Sequence, residues 1–175
     1  MMGYRFEPPS EPRKPSKLEL AAYREAGYFV AALLSETCPT PRRVTIGSDA
    51  PKRRSVGHVS PTLSPDSEVE TQRRLDRIVC LLAGGIAVRR FAGRADHNAA
   101  EYRAASALAL KASGDKDRAS AMLRVADLIA AHLFLGRWPA VEALAAALLK
   151  RETLTREEAR QIVEAEPDLH DGATL

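Results

Sequence analysis

Apolar residues recur at helical spacing through most of the chain. Leu18, Ala22, Ala26, Phe29 and Leu33 fall on one face of a helix that opens at Ser16, where Glu19 three residues on completes a capping box. Pro39 and Pro41 end that segment. A second box, Ser67 with Glu70, opens a long helix to about Phe91, with Leu75, Ile78, Val79, Leu82, Ile86 and Ala87 on its inner side. Helical period returns over 98–112, is broken at Gly114-Asp115, and resumes over 116–135. A separate helix is expected over 139–149, with Pro139 in its first turn. Thr155 with Glu158 caps a last short helix. Two β-branched runs, 43–46 and 55–59, are separated by Gly47, Asp49 and Pro51 and read as one hairpin. The expected fold is mainly α with one short β-hairpin. Gly84-Gly85 lies inside a helix, where glycine costs about 1 kcal/mol relative to alanine. That cost is tolerable where another backbone must come close, so a tight crossing is expected there.

Composition refines the picture. At 175 residues the chain is one domain by length and can bury a substantial core. Residues 1–16 hold four of the eleven prolines and read as a flexible leader, 17–166 as the domain, and 167–175 as a polar tail. The Arg pairs 42–43, 53–54, 73–74 and 89–90 are scattered among acidic residues, which argues against a nucleic-acid reader. Cys38 and Cys80 stand far apart in sequence and outside any C-x-x-C spacing, so both are expected as free thiols in a reducing compartment. The longest uninterrupted apolar run, 78–88, is short of the about 20 residues that cross a bilayer, and no apolar signal segment opens the chain. A cytoplasmic protein without a membrane span is expected.

The candidate chemistry sits in the first helix. Residues 23–28 read Tyr-Arg-Glu-Ala-Gly-Tyr, and residues 81–87 read Leu-Leu-Ala-Gly-Gly-Ile-Ala. With the V-T-I hairpin between them and an acidic helix start after them, these segments resemble the peptidase domain of FtsH-type ATP-dependent zinc metalloproteases. Small stand-alone relatives lacking the ATPase are the nearer likeness, and the resemblance runs from about Lys17 to Leu149. It implies a helical FtsH-type peptidase-like fold in which the histidines of H-E-A-G-H match Arg24 and Tyr28. The general base matches Glu25, and the third zinc ligand, an acidic residue at a helix start, best matches Glu101.

A zinc site of this kind requires three protein ligands and an open fourth position. Arg24 has no acceptor for a cation, and Tyr28 would bind one only as phenolate. The resemblance therefore implies a degenerate site with Glu25 as a vestigial base, no metal at Arg24, Tyr28 and Glu101, and no expected cofactor. Without the metal, two carboxylates would be left close together, and the Arg24 guanidinium could bridge Glu25 and Glu101, with the Tyr28 hydroxyl as an extra donor.

The leading expectation is a peptide- or protein-binding or regulatory module that takes an extended peptide by strand addition along the hairpin edge. The alternative is a zinc metallopeptidase with a displaced site that uses Glu25 as base and draws ligands from Asp96, His97 and Glu101. A third reading is a purely structural helical domain. No G-x-x-x-x-G-K-[ST] segment occurs, so nothing provides for ATP in cis. Serine-nucleophile signatures are likewise absent from the sequence.

Overall fold

The computed structural model describes residues 14–47, 68–93 and 99–169. Its elements are α1 (Lys17–Leu34), β1 (Arg43–Thr45), α2 (Glu68–Ala92), α3 (Ala99–Ser113), α4 (Lys116–Arg151), β2 (Thr153–Thr155) and α5 (Arg156–Ala165). The mainly helical expectation holds. Both capping boxes that fall on described residues form. Ser16 accepts from the Glu19 amide while Glu19 returns a bond to the Ser16 amide, and Thr155 and Glu158 do the same for α5. The box expected at Ser67 lies outside the described residues. Gly114 ends α3 with φ +67 and donates its amide to the Leu110 carbonyl, a left-handed cap that glycine accepts without a Cβ clash.

The core is built where α1, α2 and α4 pack on one another, with α3 laid across α2 and α4. From Ala26 to Ala32 nearly every α1 side chain is enclosed, and Phe29 and Val30 are fully buried. Of the expected inner face, Ala22, Ala26 and Phe29 are buried, Leu33 is half-buried, and Leu18 at the helix start is exposed. Ile78, Val79, Ile86 and Ala87 of α2 and Phe134, Val141, Leu144 and Leu148 of α4 complete the interior.

Two findings go beyond or against the expected elements. First, β1 pairs antiparallel with β2, in the register Arg43–Thr155, Val44–Leu154 and Thr45–Thr153. The expected hairpin partner, 55–59, lies outside the described residues, and of 153–155 only Thr155 carries an expectation, as the cap of α5. Leu154 is fully buried beside Val44, and the Thr45 and Thr153 hydroxyls share a hydrogen bond of 2.8 Å. The ladder is extended by Ile46 donating to the Glu152 carbonyl and Arg156 donating to the Arg42 carbonyl.

Second, 116–135 and 139–149 are one helix. Pro139 lies inside α4, where its ring removes an N–H and crowds the carbonyl four residues back, a cost of about 3 kcal/mol in isolation. The carbonyls on either side of Leu135 receive donors from outside the helix. Arg90 Nη1 donates to Phe134 O at 2.6 Å, and the Leu169 amide donates to Gly136 O at 3.1 Å. Tertiary bonds thus hold the helix continuous through a residue that, by local rules, starts one.

Continuity also makes α4 long and apolar enough to cross a membrane by length and composition alone. Uninterrupted apolar runs do not reveal this, because charged residues punctuate the helix. In the fold it packs against α1, α2, α3 and α5. On its outer side Val125, Leu128, Ile129 and Leu135 are exposed at helical spacing.

Candidate functional site

The α1–α2 crossing positions the candidate residues. A Cβ added to Gly27 would stand 2.5 Å from Ala87 Cβ and 3.0 Å from the Ala83 carbonyl oxygen. One added to Gly84 would stand 2.9 Å from both Arg24 Cγ and Arg24 O. Each glycine therefore admits the other helix, as the Gly84-Gly85 pair led us to expect. The two segments that carry the family resemblance, 25–27 and 81–87, meet at this crossing.

Arg24, Glu25 and Tyr28 lie in the middle of α1, all half-buried. Arg24 runs over α2 rather than into solvent: its Cγ comes close to Gly84 and its Nε is buried. Tyr28 packs against the core. Glu101 is half-buried in the first turn of α3, a helix whose principal packing is against α2 and α4 rather than α1. Each of these four residues is engaged by a neighbour. Asp96, His97 and His58 lie outside the described residues, and His132 is exposed on α4. Among the described residues, no group of three or more His, Cys, Asp or Glu is arranged to hold a metal ion.

Next to Arg24, Tyr23 begins an aromatic clamp that periodicity did not show. Its ring stacks on Phe91 of α2 with centroids 3.7 Å apart, and lies 5.8 Å from Trp138 of α4. Phe134 meets Trp138 edge-on at 6.4 Å, and the Arg90 guanidinium lies 4.5 Å above the Trp138 ring. Arg90 thus couples α2 to α4 twice, through the indole and through the Phe134 carbonyl. Burial raises the Tyr23 phenol above its ordinary 10.0, with Glu142 and Glu19 adding to the shift, so the hydroxyl stays protonated. Four of the nine aromatic residues gather here, and their scarcity in the sequence is the signal that could have pointed to the cluster. A second hold on the same stretch of α4 is the Arg137–Asp168 ion pair at 2.8 Å.

A further polar cluster joins the segment after α1 to α2. Ser35 Oγ accepts the Thr37 and Cys38 amides and donates to Asp76, and Thr37 Oγ1 donates to Asp76 Oδ2 at 2.7 Å. Gln72 binds the other Asp76 oxygen at 2.7 Å. Cys38 and Cys80 are not joined in a disulfide, and they lie side by side and share a hydrogen bond. That bond lowers the Cys38 pKa. Burial opposes the effect, Arg77 reinforces it and Asp76 weakens it, leaving the thiol below its ordinary value.

No protein-family model and no curated protein matches this chain.

Proposed function

We propose that this chain is a catalytically degenerate, FtsH-type zinc-peptidase-like domain that binds a peptide or protein rather than cleaving one. The observation that carries the reading is the α1–α2 crossing. Glu25-Ala26-Gly27 and Leu81–Ala87, which carry the sequence resemblance separately, are packed glycine to helix in both directions. On this reading Glu25 is a vestigial general base, and Arg24 and Tyr28 occupy the places of two imidazoles. Arg24 takes over the neutralising role of the missing dication by bridging Glu25 and Glu101, supported by the course of its side chain along α2. No cofactor, nucleic acid, membrane or ATP in cis is required, and the cytoplasm is the natural compartment. The partner is taken as an extended segment along an edge of the β1–β2 sheet.

The test is metal content and peptidase activity of protein purified without chelator or metal-affinity resin. Substoichiometric zinc and no chelator-sensitive hydrolysis are expected. Stoichiometric zinc with chelator-sensitive cleavage would overturn the binding-module reading. The double variant Arg24→His, Tyr28→His restores two imidazoles at i and i+4, and a gain in zinc affinity over the parent is expected. No gain would refute the mapping of the site.

A further inference from the structure

We propose that Cys38 and Cys80 form a reversible intramolecular disulfide on oxidation, fastening the segment between α1 and β1 to α2. The two cysteines are distant in sequence, yet the fold brings them together by a neighbouring contact as well as their own. Thr37 is bound to Asp76, Cys38 follows Thr37, and Cys80 lies one helical turn beyond Asp76 on α2. The Thr37 and Cys38 amides both donate to Ser35 Oγ, at 3.3 and 3.0 Å, so the backbone that presents the thiol is fixed. From their hydrogen-bonded contact the sulfurs have to close to the about 2.05 Å of a disulfide.

The pair is asymmetric, which assigns the roles. Cys80 is buried among the core side chains, whereas Cys38 is partly exposed and so is the sulfur an oxidant reaches first; the bond from Cys80, with Arg77 nearby, favours its thiolate. With a hydroperoxide as oxidant, the Cys38 thiolate attacks the terminal peroxide oxygen. The O–O bond breaks, Cys38 becomes a sulfenic acid, and the departing oxygen takes up a proton to leave as water or alcohol. Cys80 sulfur then attacks Cys38 sulfur, the S–O bond breaks, and the hydroxyl departs with the Cys80 thiol proton as water. Two thiols have lost two electrons and two protons to one peroxide. A dithiol reductant reverses the process by exchange at the more exposed Cys38 sulfur.

The experiment is treatment of the fully reduced chain with one equivalent of hydrogen peroxide. Thiols are then counted in denaturant, and peptides are mapped without reductant. Both thiols should disappear together, a peptide pair linked through Cys38 and Cys80 should be recovered, and dithiothreitol should restore both. Closing so long a loop should raise the midpoint of thermal unfolding by roughly 5–10 °C, and this rise should vanish in Cys38→Ser. In Cys80→Ala the reaction should stop at a Cys38 sulfenic acid that dimedone captures. The thiol count and peptide map need only the native sequence, so they decide the matter even where a core variant misfolds. Loss of Cys38 alone, oxidation of Cys38 to sulfinic acid with Cys80 still free, or linkage only between molecules would overturn the proposal.

Discussion

Gly27→Ala tests the crossing on which the candidate site is built. On an open helix surface this change would stabilise by about 1 kcal/mol, since alanine is the better helix former. Here the new methyl would stand 2.5 Å from Ala87 Cβ and 3.0 Å from the Ala83 carbonyl. Neither neighbour can swing away, because one is a Cβ fixed to its helix and the other is backbone. Relief requires moving α1 off α2, and overpacking of this kind costs typically about 1–3 kcal/mol, toward the upper end for a backbone contact. The larger effect wins, and a net loss of about 1–2 kcal/mol is expected.

The double variant Gly27→Ala, Ala87→Gly removes the closer of the two contacts. It should therefore lose less stability than the two single variants summed, by about 1 kcal/mol or more. Urea unfolding followed by helical circular dichroism at constant m-value supplies all four corners of the cycle. A neutral or stabilising Gly27→Ala, or strict additivity in the double variant, would refute the close approach and the site geometry that depends on it.

Arg90→Ala removes both the Phe134 carbonyl bond and the stack on Trp138, for a loss of about 2–3 kcal/mol. Lysine should rescue little of it, and Trp138, the only tryptophan, reports the change in its fluorescence without interference. The α5 cap should be acid-sensitive. Glu158 is held at about 2, first by the Thr155 backbone bond and then by Arg151 and the Thr155 hydroxyl. Because its folded pKa is depressed, its contribution is present above the ordinary 4.5 and is lost as pH falls toward about 2. Glu158→Gln should flatten this dependence of the unfolding midpoint on pH. Tyr23 has the opposite sign. Its raised pKa means a contribution present below 10.0 and lost as pH climbs through the higher folded value, so Tyr23→Phe should reduce the alkaline loss of stability.

Helix starts were legible in the sequence because a capping box is a local device. Ser16–Glu19 and Thr155–Glu158 satisfy amides within four residues and need nothing from elsewhere. The tight crossing was legible too, since a glycine pair inside a helix is locally unfavourable and calls for a neighbour. What escaped was non-local. Thr155 belongs to the α5 cap and to β2 at once, and only the Val44–Leu154 pairing across the chain reveals the second role. Pro139 reads as a helix start until Arg90 and Leu169 supply donors beside it. The candidate site shows the same division. Arg24, Glu25 and Tyr28 share one helix by spacing alone, whereas Glu101 is placed by α3 and its packing on α2 and α4. The proximity of Cys38 to Cys80, too, exists only in three dimensions.

The β1–β2 ladder has a consequence for the order in which the fold can be completed. Thr45 and its partner Thr153 are 108 positions apart, so the strand nearer the start of the chain has no mate in this ladder until nearly everything between them has been synthesised. Closing that span carries an entropic penalty that six ladder residues cannot offset alone, so the helices must condense first and bring the strand ends together. A nascent chain would therefore hold a helical body while Val44 and Leu154 still await each other. Any change that loosens the last turn of α4 should slow the final step of folding more than the first.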